Sequence, residues 1–104
     1  MLAISARIEV APDDIEAYIA AAQKLIEPTH AEPGCLLYSF AVDIQHSNVL
    51  WITEQWQEES DLMAHLGAPH TLEFLAICDN LQVTDMNVIK FDVSAAGPLE
   101  VPQR

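Results

Sequence analysis

Basic residues are scarce in this chain. Four lysine and arginine residues stand against 16 aspartate and glutamate residues, so the formal net charge is −12 over 104 residues. A charge of this sign repels phosphate backbones and anionic lipid headgroups. The sequence therefore predicts that neither nucleic acid nor a membrane surface is a partner.

Cysteine is also rare, and long apolar runs are missing. Cys35 and Cys78 form no CxxC pair and cannot build a disulfide framework, so both are expected to be reduced thiols in the cytoplasm. The chain opens without a signal-peptide pattern, and no run reaches the length of a membrane span. A phosphate loop, a GxGxxG pattern and a nucleophile elbow are absent as well. The sequence thus offers no motif for nucleotide-dependent or elbow-type hydrolase chemistry.

Apolar residues, in contrast, are plentiful. They make up 51% of the chain, and the mean hydropathy is +0.16. The length predicts a single domain over residues 1–104, with a core at 2–93 and an irregular tail at 94–104. A domain this short buries only about 60–70% of its unfolded surface. The surplus of apolar side chains predicts a cover from outside, most simply a second subunit.

The first part of the chain predicts a strand followed by a helix. Residues 2–10 alternate between apolar side chains and small or polar ones, which is typical of a strand with one apolar face. A helix then begins at Pro12, and its apolar residues recur at helical spacing. Pro28 is expected to kink this helix or end it locally, because proline lacks the amide donor. Gly34 marks the end of the element.

The remainder predicts two strands, two short helices and a last strand. Residues 35–43 and 48–57 are rich in aromatic and branched side chains on both faces, so both faces must be covered. A helix follows at 58–66, a second begins at Pro69, and the last strand spans 83–93. The second of these helices is expected to carry an apolar side formed by Leu72, Phe74, Leu75, Ile77 and Leu81.

This order, β-α-β-β-α-β, is that of an α+β, ferredoxin-like domain with an antiparallel sheet. Its helices cover one face of the sheet and leave the other bare. Because the bare face is not polar enough for water, two sheets are expected to pack face to face as a dimeric α/β barrel. The small or polar side chains on one face of the first strand suggest that the enclosed space has room for a ligand.

Several short motifs of this sequence resemble the antibiotic biosynthesis monooxygenase domain family, which includes small bacterial quinol monooxygenases. The resemblance extends over roughly residues 2–93, nearly the whole of a domain of this size. The motifs that carry it are Ala6-Arg7-Ile8, Ile26-Glu27-Pro28-Thr29, Glu32-Pro33-Gly34-Cys35-Leu36, Tyr38, Glu54-x-Trp56, Asp61-Leu62, His65-Leu66, Pro69-His70 and Phe74.

The resemblance implies a homodimer that oxidises a quinol or polycyclic phenol with O2 and needs no metal, flavin or other cofactor. In such a mechanism the substrate supplies the electrons, a base removes its phenolic proton, and the dry pocket steers recombination. The same domain also occurs in isomerase-like and haem-degrading relatives. A non-oxygenase that binds or isomerises a small metabolite, or a dimer without chemistry, therefore stays open as the alternative.

His65 is the candidate proton acceptor, because histidine exchanges protons near neutral pH and stands at the histidine position of the family pattern. The other interpretation is a structural histidine that braces its helix through a carboxylate such as Glu54. His70 is interpreted as a surface or capping residue. His65 and His70 are five residues apart and flank a glycine and a proline, so no metal site is predicted.

The candidate substrate-binding residues each have a structural alternative. Trp56 and Glu54 share a face of one strand, and Trp56 is either an aromatic wall or a core residue. Tyr38 is either a phenolic donor or a core residue. Arg7 could hold a phenolate if its face is the inner one, and it is otherwise a salt-bridged structural residue. Phe74 is assigned to the substrate by the resemblance.

Overall fold

The computed structural model describes residues 1–103, and within them it confirms the predicted α+β, ferredoxin-like order. The sheet is antiparallel with the strand order β2-β3-β1-β4. The elements are β1 (Leu2–Val10), a single 3-10 turn (Pro12–Asp14), α1 (Ile15–His30), β2 (Cys35–Val42), β3 (Val49–Trp56), α2 (Glu59–Leu66), α3 (Pro69–Cys78) and β4 (Val83–Asp92). Within residues 1–103, no helix has the length and apolar character needed to cross a bilayer.

The two faces of the sheet differ, and β1 shows the difference in its own alternation. Its even-numbered residues are buried against the helices, and its odd-numbered residues are partly exposed on the other side. Ile4 pairs with Glu54 and Ala6 with Ile52, so β3 presents these residues to the helices as well. We call this side the helix face and the other side the open face.

The open face has no helix against it in the described part of the chain. It carries Arg7 and Glu9 of β1, and the register places Trp51 of β3 and Ile89 and Phe91 of β4 on the same side. The last three are large apolar side chains that stay exposed. This is the bare face that the sequence predicted, and it is less apolar near Arg7 than at β4.

Helix α1 packs on the sheet through Tyr18, Ala22 and Leu25, as its periodicity predicts. A kink or a local end was expected at Pro28, and the local end is wrong, because the helix continues to His30. The hydroxyl of the fully buried Thr29 donates to the carbonyl of Leu25 over 2.7 Å and holds the last turn. Packing of this turn therefore outweighs the hydrogen bond that proline cannot make.

Helices α2 and α3 are separated by Gly67, and each has its own start signal. Glu58 and Asp61 form a capping box at the start of α2, with the amide of Glu58 donating to Asp61 over 3.1 Å. Proline at position 69 begins α3, preceded by an extended residue, Ala68. The break between α2 and α3 changes the chain direction and brings the first turn of α3 next to the last turn of α2.

The apolar side predicted for α3 is only partly covered. Phe74 packs on the core, but Leu72 and Leu75 are 54% and 48% exposed. On the helix face of β4, Met86 and Val88 are exposed too. The short α3 does not reach across β4, and a gap is left between them. This gap is the mouth of the cavity described next.

Candidate active site

A cavity of about 530 Å³ lies between the sheet and the helices of a single chain. This volume is within the range of about 300–1,000 Å³ that small-molecule sites occupy. The sequence led us to expect the space between two facing sheets, whereas this cavity lies on the helix face. Its interior is lined by Tyr18, Tyr38, Phe40 and Phe74, its inner end by Glu54, His65 and Thr71, and its mouth by Leu75, Met86 and Val88.

Glu32 and His65 form the shortest polar contact at the inner end. The loop after α1 brings in Glu32, the last turn of α2 brings in His65, and Nδ1 of the histidine lies 2.6 Å from Oε2 of the carboxylate. Because a carboxylate accepts and does not donate, Nδ1 carries the hydrogen. Nε2 is then the nitrogen of His65 that can accept a proton from a ligand.

His70 contacts the same carboxylate oxygen. Its Nε2 lies 3.0 Å from Oε2 of Glu32, and the rings of His65 and His70 are 6.1 Å apart. Thr71 adds a hydroxyl 3.4 Å from Nδ1 of His65. The interpretation of His70 as a surface or capping residue is therefore incomplete, because its ring is partly buried and hydrogen-bonded to Glu32. The nitrogens of the two histidines and the carboxylate oxygen of Glu32 all lie within 4.8 Å of one another.

Trp56 and Glu54 lie on the helix face, but they occupy different depths. Trp56 is completely buried and does not line the cavity, and its ring centroid is 4.9 Å from that of His65. Its indole Nε1 donates to Oε1 of Glu54 over 3.0 Å. Trp56 thus supports His65 and Glu54 from behind, while Glu54 itself reaches the cavity.

Glu54 is held in a setting that favours its neutral form. Burial raises the pKa of this carboxyl, and the negative charge of Glu32 adds to the effect. The hydrogen bond from Trp56 and the charge of His65 oppose it and lower the pKa. The net direction is upward, so Glu54 retains its proton to a higher pH than an exposed glutamate.

Aromatic side chains surround this polar end of the cavity. The ring of Tyr38 meets that of His65 edge to face at 5.2 Å, and the ring of Phe74 meets that of Tyr18 at 5.5 Å. Burial, with a smaller contribution from Glu54, raises the pKa of Tyr38, so its hydroxyl stays a neutral donor. Tyr38 and Phe74 both line the cavity, and their role in substrate binding stays a prediction.

Arg7 is the candidate residue that the structure separates from the others. It lies on the open face, where its guanidinium is 3.7 Å from Glu9 and 3.6 Å from Asp85. The cavity lies on the opposite side of the sheet, so this geometry corresponds to the structural alternative stated for Arg7.

Glu32 and Tyr18 are two of the site residues that were not assigned from the sequence. Glu32 belongs to a motif that carried the family resemblance, Glu32-Pro33-Gly34, and that motif is the signal that could have found it. Tyr18 was interpreted as part of the apolar stripe of α1, yet it lines the cavity as well as the core. Nothing local distinguishes these two roles for an aromatic residue on a helix.

A sheet covered by helices on one side, with an aromatic cavity of ligand size and a cluster of histidine and glutamate side chains at its end, defines a ferredoxin-like domain with room for a small molecule. The family described as antibiotic biosynthesis monooxygenase matches residues 1–77 of the sequence. The chain belongs to the antibiotic biosynthesis monooxygenase family.

Individual proteins and a solved structure are similar to this chain. YcnE of Bacillus subtilis strain 168, provisionally named a monooxygenase, is 26% identical over 94 residues, which cover 90% of this chain and 99% of YcnE. The uncharacterized protein sll1783 of Synechocystis is 36% identical over 74 residues, which cover 71% of this chain. This chain spans 50% of the length of sll1783. The crystal structure of PA3566 from Pseudomonas aeruginosa superposes with a TM-score of 0.82 at 29% identity, covering 90% of this chain and 94% of PA3566.

Proposed function

We propose that this protein is a cofactor-independent monooxygenase that oxidises a quinol or polycyclic phenol with O2. One observation carries the proposal: His65, with Nδ1 held by Glu32 at 2.6 Å, lines an aromatic cavity of about 530 Å³. A base oriented by a carboxylate is what the removal of a phenolic proton requires. The aromatic walls suit a flat ring system, which can stack on them or meet them edge to face.

The first step is transfer of a phenolic proton to Nε2 of His65. Glu32 stabilises the imidazolium that results, because its negative charge lies against the other ring nitrogen. The phenolate then gives one electron to O2, and the two radicals combine to form a carbon–oxygen bond. Loss of water from this peroxide, with the proton returned by His65, completes the reaction.

The atoms and electrons balance without a further reductant. One quinol and one O2 give one hydroxyquinone and one water. One oxygen atom forms the new C–O bond, and the other leaves as water. The four electrons that O2 accepts come from the quinol, two from its hydroxyl pair and two from the ring carbon that is hydroxylated.

The remaining cavity residues would position the substrate and exclude water. Tyr38 can donate to a substrate oxygen, and Glu54, with its raised pKa, can donate or accept there according to its protonation. Trp56 acts through both Glu54 and His65 by fixing their positions. Because the cavity wall is mostly apolar, a charged intermediate is exposed to little competing water.

We further propose that a second copy of the chain covers the open face, as a homodimer in the cytoplasm. Trp51, Ile89 and Phe91 are exposed on this face, and exposed apolar side chains grouped on one surface are typical of an interface. A two-fold arrangement would place the same surface against itself. The cavity of each chain would then lie on the outer side of the paired sheets.

The test is oxygen uptake with a panel of hydroquinones and polycyclic phenols, using protein freed of metal by a chelator. The His65→Gln variant is expected to lower kcat by about 10²–10⁴-fold, the usual contribution of a general base. The control is His46→Gln, which changes an exposed histidine in the β2–β3 loop and should keep full activity.

Full turnover by a folded His65→Gln protein would show that His65 does not accept the phenolic proton. Product formation without consumption of O2 would instead point to the isomerase-like alternative. Absence of both turnover and any ligand-dependent rise in Tm across the panel would contradict the proposed substrate class.

A further inference from the structure

The cluster of Glu32, His65 and His70 has the composition of a metal site. Two imidazole nitrogens and one carboxylate oxygen lie within 4.8 Å of one another, and both nitrogens are already at Oε2 of Glu32, at 2.6 and 3.0 Å. Two histidines and a glutamate are a common ligand set for zinc. We propose that this cluster binds a divalent transition-metal cation of the zinc type, and that the bound cation inactivates His65 as a base.

The spacing of the donor atoms is close to what such a cation needs. Bonds of about 2.0–2.1 Å in a tetrahedron put neighbouring donors roughly 3.4 Å apart. The two contacts to Oε2 must therefore widen by less than about 1 Å when the cation replaces the bridging hydrogens. The two histidine nitrogens, which lie within 4.8 Å of each other, must approach by up to about 1.4 Å. His70 can supply this movement, because its side chain is 24% exposed, whereas that of His65 is 4% exposed.

The three ligands come from three elements that are fixed independently of the cluster. Glu32 follows α1, whose last turn is held by Thr29. His65 ends α2, which starts with its own capping box. His70 lies in the first turn of α3, set by proline at position 69. The donors thus converge through the fold itself, and a cation would not have to assemble them from distant positions.

The chemistry of the donors also determines which cation fits. Mg²⁺ and Ca²⁺ prefer sets made of oxygen atoms, and imidazole nitrogens favour zinc and its neighbours. The net charge of −12 raises the local concentration of any cation near the protein. Charge attraction alone would not distinguish zinc from magnesium. Selectivity for zinc would therefore indicate that the two histidine nitrogens coordinate the ion.

Binding would change the tautomer of His65. A cation on Nδ1 needs the lone pair there, so the ring hydrogen must move to Nε2. In the proposed oxygenase mechanism Nε2 accepts the phenolic proton. It cannot do so once it already carries the ring hydrogen. This consequence rests on the proposed function, while the binding of the cation does not.

Binding is tested on the full chain after removal of metal with a chelator. We expect calorimetry to show one Zn²⁺ per chain, and Co²⁺ to produce the visible absorption bands of a tetrahedral site. Loss of a hydrogen-bond partner of a metal ligand costs about 10–100-fold in affinity. Loss of a ligand in His70→Ala or Glu32→Gln should cost at least as much, with folding checked by circular dichroism.

The matched control is His46→Ala, which removes an exposed histidine and should leave Zn²⁺ affinity unchanged. Equal Zn²⁺ affinity in His70→Ala and the unmodified protein would overturn the site, and so would absence of binding. An equal affinity for Mg²⁺ would overturn the assignment to nitrogen donors.

The inhibition is tested by oxygen uptake with added Zn²⁺. Turnover should fall as the site fills, return on addition of a chelator, and need more Zn²⁺ to fall in His70→Ala. Full turnover with the site filled would overturn the inactivation of His65. Zn²⁺ binding by a protein that never oxidises a quinol would refute the oxygenase and leave the metal site. Turnover without Zn²⁺ binding would refute the metal site and leave the oxygenase.

Discussion

The helix face and the open face of this sheet are made by the same strands but have different contents. On the helix face, Glu54 and His65 are enclosed and hydrogen-bonded among aromatic rings. On the open face, Arg7 and Glu9 form loose ion pairs beside exposed apolar side chains. Strand alternation therefore separates two surfaces: one face carries the cavity at which we propose the chemistry, and the other carries the exposed side chains at which we propose association.

The largest expected effect separates the two tryptophans of β3. Trp56 on the helix face is 0% exposed, and Trp51 on the open face is 40% exposed. Trp56→Ala should lower the free energy of unfolding by about 3–5 kcal/mol, because it leaves a cavity and removes the partner of Glu54. Trp51→Ala should cost less than about 1 kcal/mol in the isolated chain, as for a surface residue. Urea unfolding measures both.

Equal losses for the two variants at every protein concentration would mean that the faces do not differ as described. A loss in Trp51→Ala that grows with protein concentration would instead support association through the open face, since a dimer contributes stability by mass action.

The next effect concerns that association directly. Phe91→Asp places a carboxylate on the open face at β4, and it should raise the dimer dissociation constant by at least about 100-fold, or roughly 2.7 kcal/mol. The physical reason is the burial of an unpaired charge in an apolar contact. Light scattering coupled to size exclusion measures the mass, with Leu99→Asp in the exposed tail as the control.

A micromolar solution of the unmodified chain that scatters as a monomer would contradict the proposed dimer. So would a Phe91→Asp protein that keeps the mass of a dimer over the same concentration range.

The alternation that separates the two faces could be read from the sequence, because it depends on neighbours two residues apart. The helix stripe of α1 and the breaks at Gly34 and Gly67 are local in the same sense, and they fixed the element order. The prediction failed where local and tertiary terms compete. At Pro28 the missing amide argued for a kink or a local end, and packing of Thr29 carried the helix on to His30.

The candidate site was predictable only in part, because its contacts join distant positions. His65 and Tyr38 were chosen by residue type and family pattern, and both lie at the cavity. The partner of His65 could not be chosen in this way, since Glu32 is 33 residues away and Glu54 was an equally reasonable carboxylate. The spacing of His65 and His70 gave no sign that their rings lie 6.1 Å apart, because sequence spacing ignores the turn at Gly67.

A smaller effect concerns the loop that carries Glu32 to the helix face. Gly34 has φ of +80°, and a Cβ atom there would overlap the side chain of Asp61 in the capping box of α2. Gly34→Ala should cost about 1–2 kcal/mol from the left-handed conformation alone. The control is Gly67→Ala, where the nearest atom to a new Cβ is 4.0 Å away. Equal thermal stability of the two variants would contradict this account.

The smallest effect concerns Glu54 and its pH dependence. Burial raises the pKa of Glu54 above its ordinary value of 4.5, so between these two values the folded chain binds a proton that the unfolded chain has lost. Stability therefore falls as pH rises through this window, and ionised Glu54 destabilises the fold above it.

Glu54→Gln should raise the free energy of unfolding at pH 8 by under about 1 kcal/mol, because the amide oxygen still accepts from Trp56. Below pH 4.5 the gain should vanish. Denaturant unfolding across pH measures the difference, and a Glu54→Gln protein that is less stable at pH 8 would contradict the burial of this carboxyl on the helix face.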